Sequence, residues 1–277
     1  MIETILPSAA APEPTQDSAP DPDARSRRRA DRARQVADVL RLQVIHGLVP
    51  DGALPCETDL AADFGVSRNT VREALDLLRG EGLVERTPGV GTVVVGTKYP
   101  HGLDRLQGLA ETLTGHGTVH NEVRMAGTVP APAAVAARLG LPHGSPVVYL
   151  ERRRFADDLP LSLDLTYLVP DLGERLLGCD LAGQDVFVLL EEAADQPLGH
   201  ADVTLEATSA DRHSAALLQV PTGAPVLLLE RLTHLEDGRP VDLEYVRFRG
   251  DRISMHGSLA RGSAGAGPFH QLAQENR

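Results

Sequence analysis

The chain has 277 residues, 42% apolar and 24% charged, the proportions of a soluble globular protein with room for two domains of ordinary size. No apolar run reaches the roughly 18 residues a spanning helix needs. The N-terminus also lacks the basic-then-apolar order of a secretory leader, so a cytoplasmic protein with no membrane partner is expected. A net charge of −12 argues against nucleic acid as a partner until its distribution is read. Residues 1–24 carry five acids and no base, residues 25–98 carry 12 bases against 10 acids, and the remainder is acidic. One segment is basic inside an acidic protein, the charge asymmetry of a nucleic-acid surface.

Residues 1–24, rich in Ala, Pro, Asp and Ser, bury too little surface to offset their ordering entropy and are expected to be disordered. The arginine run Arg25–Arg34 leads into a helix on which Val36, Leu40 and Val44 recur at i, i+4, i+8, with Val39 beside them. Gly47 and Pro50-Asp51-Gly52 end it. A short helix follows over Glu57–Phe64. Gly65 makes a turn that Val66 plugs, and Ser67 caps the next helix, Arg68–Glu81. There Val71, Ala74, Leu75 and Leu78 fall inward, leaving Arg68, Asn69, Arg72, Asp76 and Arg79 outward. Leu83–Arg86 and Thr92–Val95, joined by Thr87–Gly91, read as a glycine-tipped hairpin.

From Tyr99 onward the sequence holds a repeat. Leu139–Arg152 (LGLPHGSPVVYLER) parallels Leu218–Arg231 (LQVPTGAPVLLLER), and Asp158–Asp164 parallels Gly238–Glu244. Each copy reads as an Ala-rich helix, a Pro-x-Gly turn, a strand, a tight turn and a returning strand. Two copies are too few for a solenoid, so a pseudo-twofold arrangement around one antiparallel sheet is expected. Strand parity puts Arg152 and Arg154 on one face with Ser162, Asp164 and Thr166, and likewise Arg231 and Thr233 with Asp242 and Glu244. The opposite face, with Leu161, Leu163, Leu165 and Tyr167, is apolar and expected to carry the helices. The polar face then reads either as a binding surface or as a solvated one laced with salt bridges.

Helix, turn, helix and glycine-tipped hairpin make the grammar of a winged helix-turn-helix, whose second helix must offer its first turn to the major groove. Arg68 and Arg72 suit guanine and Asn69 suits adenine. Ser67, Thr70 and the helix N-terminal amides suit phosphate. Gly89 lets the wing backbone approach DNA. An ordinary amphipathic helix with a solvated face is the plain alternative.

Leu54–Val95, with LPCE, GVSRNTVREAL and GLVERTPGVGTVV, resembles the DNA-binding domain of the GntR family of bacterial transcription regulators. The resemblance implies that Arg68, Asn69, Thr70 and Arg72 lie at the DNA, Ser67 at a phosphate and Gly89 at the wing. Thr58 stands where many members carry a base, and Cys56 replaces the usual Ser cap. Val147–Leu168, Asp180–Glu192 and Arg239–Ile253 resemble the UTRA effector-binding domain of the HutC subfamily, with its chorismate-lyase-like fold. That resemblance implies an α+β chain: a leader over residues 1–24, a winged helix-turn-helix over 25–96, a linker over 97–102 where the heads pivot, a UTRA domain over 103–261 and a tail over 262–277. It also implies a homodimer on an inverted-repeat operator and an effector site with Arg152 and Arg154 for an anionic group and Asp164 and Glu244 for hydroxyls or amines. Asp185 and Phe187 replace the Ser and Tyr of members that bind sugar phosphates, which favours a carboxylate or a less charged polar metabolite, or a degenerate pocket.

No nucleophile elbow, phosphate loop or dinucleotide fingerprint occurs, so no cofactor and no catalytic residue are expected. An enzyme of chorismate-lyase-like fold is the rival class, since fold alone does not give function. The histidines are scattered, with no helical pair of ligand spacing (His116 and His120 flank Gly117), so no metal site is expected.

Overall fold

The computed structural model describes residues 22–96, 98–113 and 118–259. Most of the expected leader, the expected tail and His116 lie outside these residues. The chain divides into two compact units, ending at Val95 and beginning at Gly96.

The first unit opens with α1 (Pro22–Ile45). This helix begins inside the expected leader and takes in the whole arginine run, a correction with a simple cause. Proline at the first helical position loses no hydrogen bond, and the Ala and Arg that follow are strong helix formers. Its buried stripe also starts a turn earlier than the valines suggest: Ala33, Val36, Ala37, Leu40 and Val44 face inward, whereas Val39 is 45% exposed. Arg29 reaches Glu73 at 2.7 Å. After a single 3-10 turn at Pro50–Gly52 come α2 (Glu57–Asp63) and α3 (Arg68–Gly80). β1 (Val84–Thr87) and β2 (Gly91–Val94) form the hairpin. Its tip is a type II turn: Val90 N–H donates to the Thr87 carbonyl at 3.1 Å, Pro88 leads, and Gly89 takes φ +78°. Ala53 bridges to Val93, tying the chain before α2 to the hairpin.

In the second unit, β3 (Tyr99–Gly102) pairs in parallel with β10 (Ile253–His256). Residues 99–102 are therefore strand rather than linker, because Pro100 is tolerated on an edge that needs no N–H there. The main sheet has six antiparallel strands in the order β4-β5-β6-β9-β8-β7. They are β4 (Val119–Pro130), β5 (Pro146–Ala156), β6 (Leu159–Leu168), β7 (Leu198–Ser209), β8 (Pro225–Leu235) and β9 (Pro240–Arg249). The order reads alike from either edge, and each copy carries its helix before the central hairpin, α5 (Ala133–Arg138) and α8 (Arg212–Leu218). The repeat is thus a pseudo-twofold about the β6–β9 seam. Equivalent cross-strand pairs stand in both halves, Arg152 opposite Asp164 and Arg231 opposite Glu244.

Both faces of this sheet are covered, which corrects the expectation of one helix-bearing face. α8 covers the apolar parity, where Leu163 packs with Ala215 and Leu218. α6 (Pro170–Leu176) covers the polar parity. It approaches so closely at Gly173 that a Cβ there would sit 2.7 Å from Val148 Cβ and 3.0 Å from Leu168 Cβ. The short α4 (Leu109–Thr112) and α7 (Val186–Ala194) are the remaining helices among the described residues. Leu109 and Leu113 pack on Leu229, Val246 and Phe248. The arginines and carboxylates of the polar face are consequently interior groups.

Candidate functional site

In the first unit, α3 is held by Val71, Ala74, Leu75 and Leu78, all buried against α1 and α2. Ser67 caps it, its Oγ accepting from Thr70 N at 3.2 Å. Cys56 makes no such cap for α2; its thiol lies 3.0 Å from Asp59 Oδ2 instead. Arg68 and Asn69 are exposed on the first turn of α3 with Arg72 exposed one turn later, and Gly89 is exposed at the hairpin tip. Thr70 departs from expectation. It is 4% exposed, and its hydroxyl is engaged with Ser67 Oγ at 2.8 Å, so it braces the cap rather than facing outward. The two arginines are not free either. Arg68 donates to the Thr58 hydroxyl, and Arg72 Nε donates to Glu57 Oε2 at 2.7 Å. Thr58 thus steers Arg68. Such exposed pairs contribute little and yield readily to a stronger anion.

In the second unit the structure gathers all six expected residues. Arg154 is ion-paired with Asp164, and its Nη1 donates to Asp185 at 2.9 Å. Arg231 pairs with Glu244 and lies 4.3 Å over the Phe187 ring, so Phe187 makes a cation–π contact. Arg152, fully buried, reaches Asp164 at 3.9 Å and directs Nη1 to the Leu181 and Gln184 carbonyls. Ser162 donates to Asp164 at 2.7 Å. Parity grouped Arg231, Ser162 and Asp242 with these residues, but His101 was missed, because only the β3–β10 pairing brings it there. It sits at the cluster edge with Arg154, Arg231 and Glu244.

Burial dominates the electrostatics. Desolvation, with the charge of Arg154 adding to it, pulls the Arg152 guanidinium down to about 10, still cationic at neutral pH. Asp164 and Asp185 together hold Arg154 above its usual range despite its burial. Desolvation, then Arg231 and Arg154, push His101 down to about 4, so it is neutral. Asp242, interior beside Glu244, is raised well above the ordinary carboxylate range, first by desolvation and then by Glu244. The folded state therefore keeps a proton on Asp242 that the unfolded chain loses near pH 4. This group's contribution falls as pH rises from about 4 toward its folded pKa. Asp242→Asn, which removes the titration, is expected to gain stability over wild type across that window and to match it below. Denaturant melts at several pH values measure this; parallel curves for the two proteins would refute a buried neutral Asp242.

The cavity within the cluster measures about 10 Å³, room for roughly one water. A second, more open cavity of about 250 Å³ shares His101, Leu229 and Arg231 with it and is otherwise lined by the 102–106 segment and by β7. His101 and Arg231 thus stand between the charged interior and an entrance.

The scattered histidines include a grouped pair, since β7 and β8 bring His200, Asp202 and His234 together. Residues far apart along the chain meet only through strand pairing, which a scan of spacings does not detect.

Comparison with known proteins matches residues 32–94 to the bacterial regulatory proteins of the gntR family and residues 115–254 to the UTRA domain. The HTH-type transcriptional repressor NagR of Bacillus subtilis is 32% identical over 222 residues, 79% of this chain and 91% of that protein. A histidine utilization repressor of Pseudomonas aeruginosa is 29% identical over 185 residues, 66% of this chain and 73% of that one. Among solved structures, PhnF from Mycobacterium smegmatis superposes with a TM-score of 0.61 at 25% identity, covering 82% of this chain and all of PhnF.

Proposed function

The chain belongs to the GntR family of bacterial regulatory proteins and carries a UTRA domain behind its DNA-binding head, and from that premise we propose that it represses transcription from an inverted-repeat operator until a small polar metabolite enters the second unit. The observation that carries the DNA-binding half is α3. It is a capped helix locked by four buried apolar residues, with Arg68 and Asn69 outward on its first turn and Arg72 one turn later. An operator would draw Arg72 from Glu57 and Arg68 from Thr58, exchanging weak exposed partners for bidentate bonds to guanine. Pairing of two chains through their second units would match protein symmetry to operator symmetry. The twelve-residue edge strands β4 and β7, with Met125 and Leu205 exposed, offer unpaired ladders for that purpose.

The metabolite's chemistry follows from the cluster. Arg154 and Arg231 already have carboxylate partners, so an effector that is only an anion must displace one of them. A metabolite offering hydroxyl or amine donors as well as a carboxylate meets Asp164, Glu244 and the arginines without leaving a charge buried alone. A second reading, a regulator that responds to no effector, has one observation in its favour: the interior cavity measures only about 10 Å³, room for roughly one water.

Arg68→Ala and Arg72→Ala are each expected to weaken binding to a duplex from upstream of the chain's own gene by about 10- to 100-fold, the value of one bidentate base contact. Fluorescence anisotropy measures the affinity, and circular dichroism checks that the fold is intact. Unchanged operator affinity in both variants would remove α3 from the interface.

A further inference from the structure

β7 and β8 bring together three side chains outside the α3 surface and the charged cluster, with His200 on the wall of the open cavity. His200 stands opposite His234 in the antiparallel ladder, and Asp202 follows His200 by two positions. Alternation puts positions i and i+2 on one side of a strand, and directly opposed residues are the nearest neighbours across it. A His-x-Asp strand facing a histidine is therefore a three-point grip. The imidazole rings are stacked, with centroids 4.4 Å apart and planes 2° from parallel. The donor atoms of all three residues lie within 4.8 Å of one another. His234 Nδ1 is buried without a hydrogen-bond partner, an arrangement that costs free energy unless something fills it. Register shifts fall at Leu198/His200 on β7 and at Thr233/His234 on β8, the kind of local distortion that re-aims side chains.

We propose that His200, Asp202 and His234 bind a divalent transition-metal ion, zinc in the first instance, with a fourth position left open. Two imidazoles and one carboxylate are a zinc donor set, while calcium and magnesium require oxygen ligands throughout. Tetrahedral zinc, with bonds of about 2.0–2.1 Å, holds its donors roughly 3.4 Å apart. Closing the donors from their present spacing requires the stacked rings to rotate so that a nitrogen of each turns toward the ion. His200 is exposed and also lines the open cavity of about 250 Å³, which gives the ion a way in.

The test uses the untagged full-length chain, stripped with a chelator and titrated with cobalt(II), whose visible absorption reports tetrahedral coordination, followed by displacement with zinc. One ion per chain is expected. His200→Ala and His234→Ala should each weaken binding at least tenfold. His213→Ala, an exposed histidine on α8, should leave it unchanged. Because His200 is a surface residue, its variant keeps the fold. Absence of the tetrahedral spectrum together with no saturable zinc binding by calorimetry overturns the proposal, as does an affinity in His200→Ala equal to that of wild type.

Discussion

Asp164→Ala is expected to lower the unfolding free energy of the second unit by about 3–5 kcal/mol, the usual result of stripping one partner from a buried ion pair. Asp164 is 2% exposed, pairs with Arg154, lies 3.9 Å from Arg152 and accepts the Ser162 hydroxyl. Its loss leaves two interior guanidinium groups sharing what remains: Asp185 for Arg154 and two backbone carbonyls for Arg152. Asp164→Asn keeps the volume and an acceptor for Ser162 and should cost less. Urea denaturation of the intact chain gives both values. A loss within about 0.5 kcal/mol of zero, the range of an ordinary surface change, would mean that water reaches the cluster freely.

Leu78→Ala should cost about 2–5 kcal/mol in the first unit, through lost transfer free energy and the void left behind. Leu78 is fully buried in the core of that unit, on the inward face of α3, away from the exposed Arg68 and Arg72. The neighbouring Leu77 is 41% exposed, and Leu77→Ala should change stability by less than about 0.5 kcal/mol. Melting curves for the pair separate packing from composition, since both variants lose the same atoms. Equal effects would show that α3 is not seated as described.

These two positions show why much of the fold could be read from the chain. The spacing of Val71, Ala74, Leu75 and Leu78 specifies one inward face, and all four are buried. The doubled Pro-x-Gly turn and strand pattern likewise foretells the palindromic sheet. Strand parity correctly placed Arg152, Arg154, Asp164 and Glu244 together, but sidedness does not say what lies on top. The cover comes from α6 and α7, and its closeness from Gly173, whose role appears only when Val148 and Leu168 are beneath it. Thr70 misled because a hydroxyl at a helix start serves a phosphate or its own cap equally well, and here Ser67 claims it. His101 and the His200–His234 pair stayed hidden because pairing between distant strands leaves no local periodicity.

The strand that carries His101 leaves the chain very little slack. Between Val95 and Tyr99 stand only Gly96, Thr97 and Lys98, and the ammonium of Lys98 is itself fastened to the Gly250 carbonyl at 2.7 Å. Even fully extended, the four steps from Val95 to Tyr99 reach only roughly 14 Å. His101 itself lies only six residues past the end of the winged unit along the chain, so the strand bearing it begins almost where that unit stops.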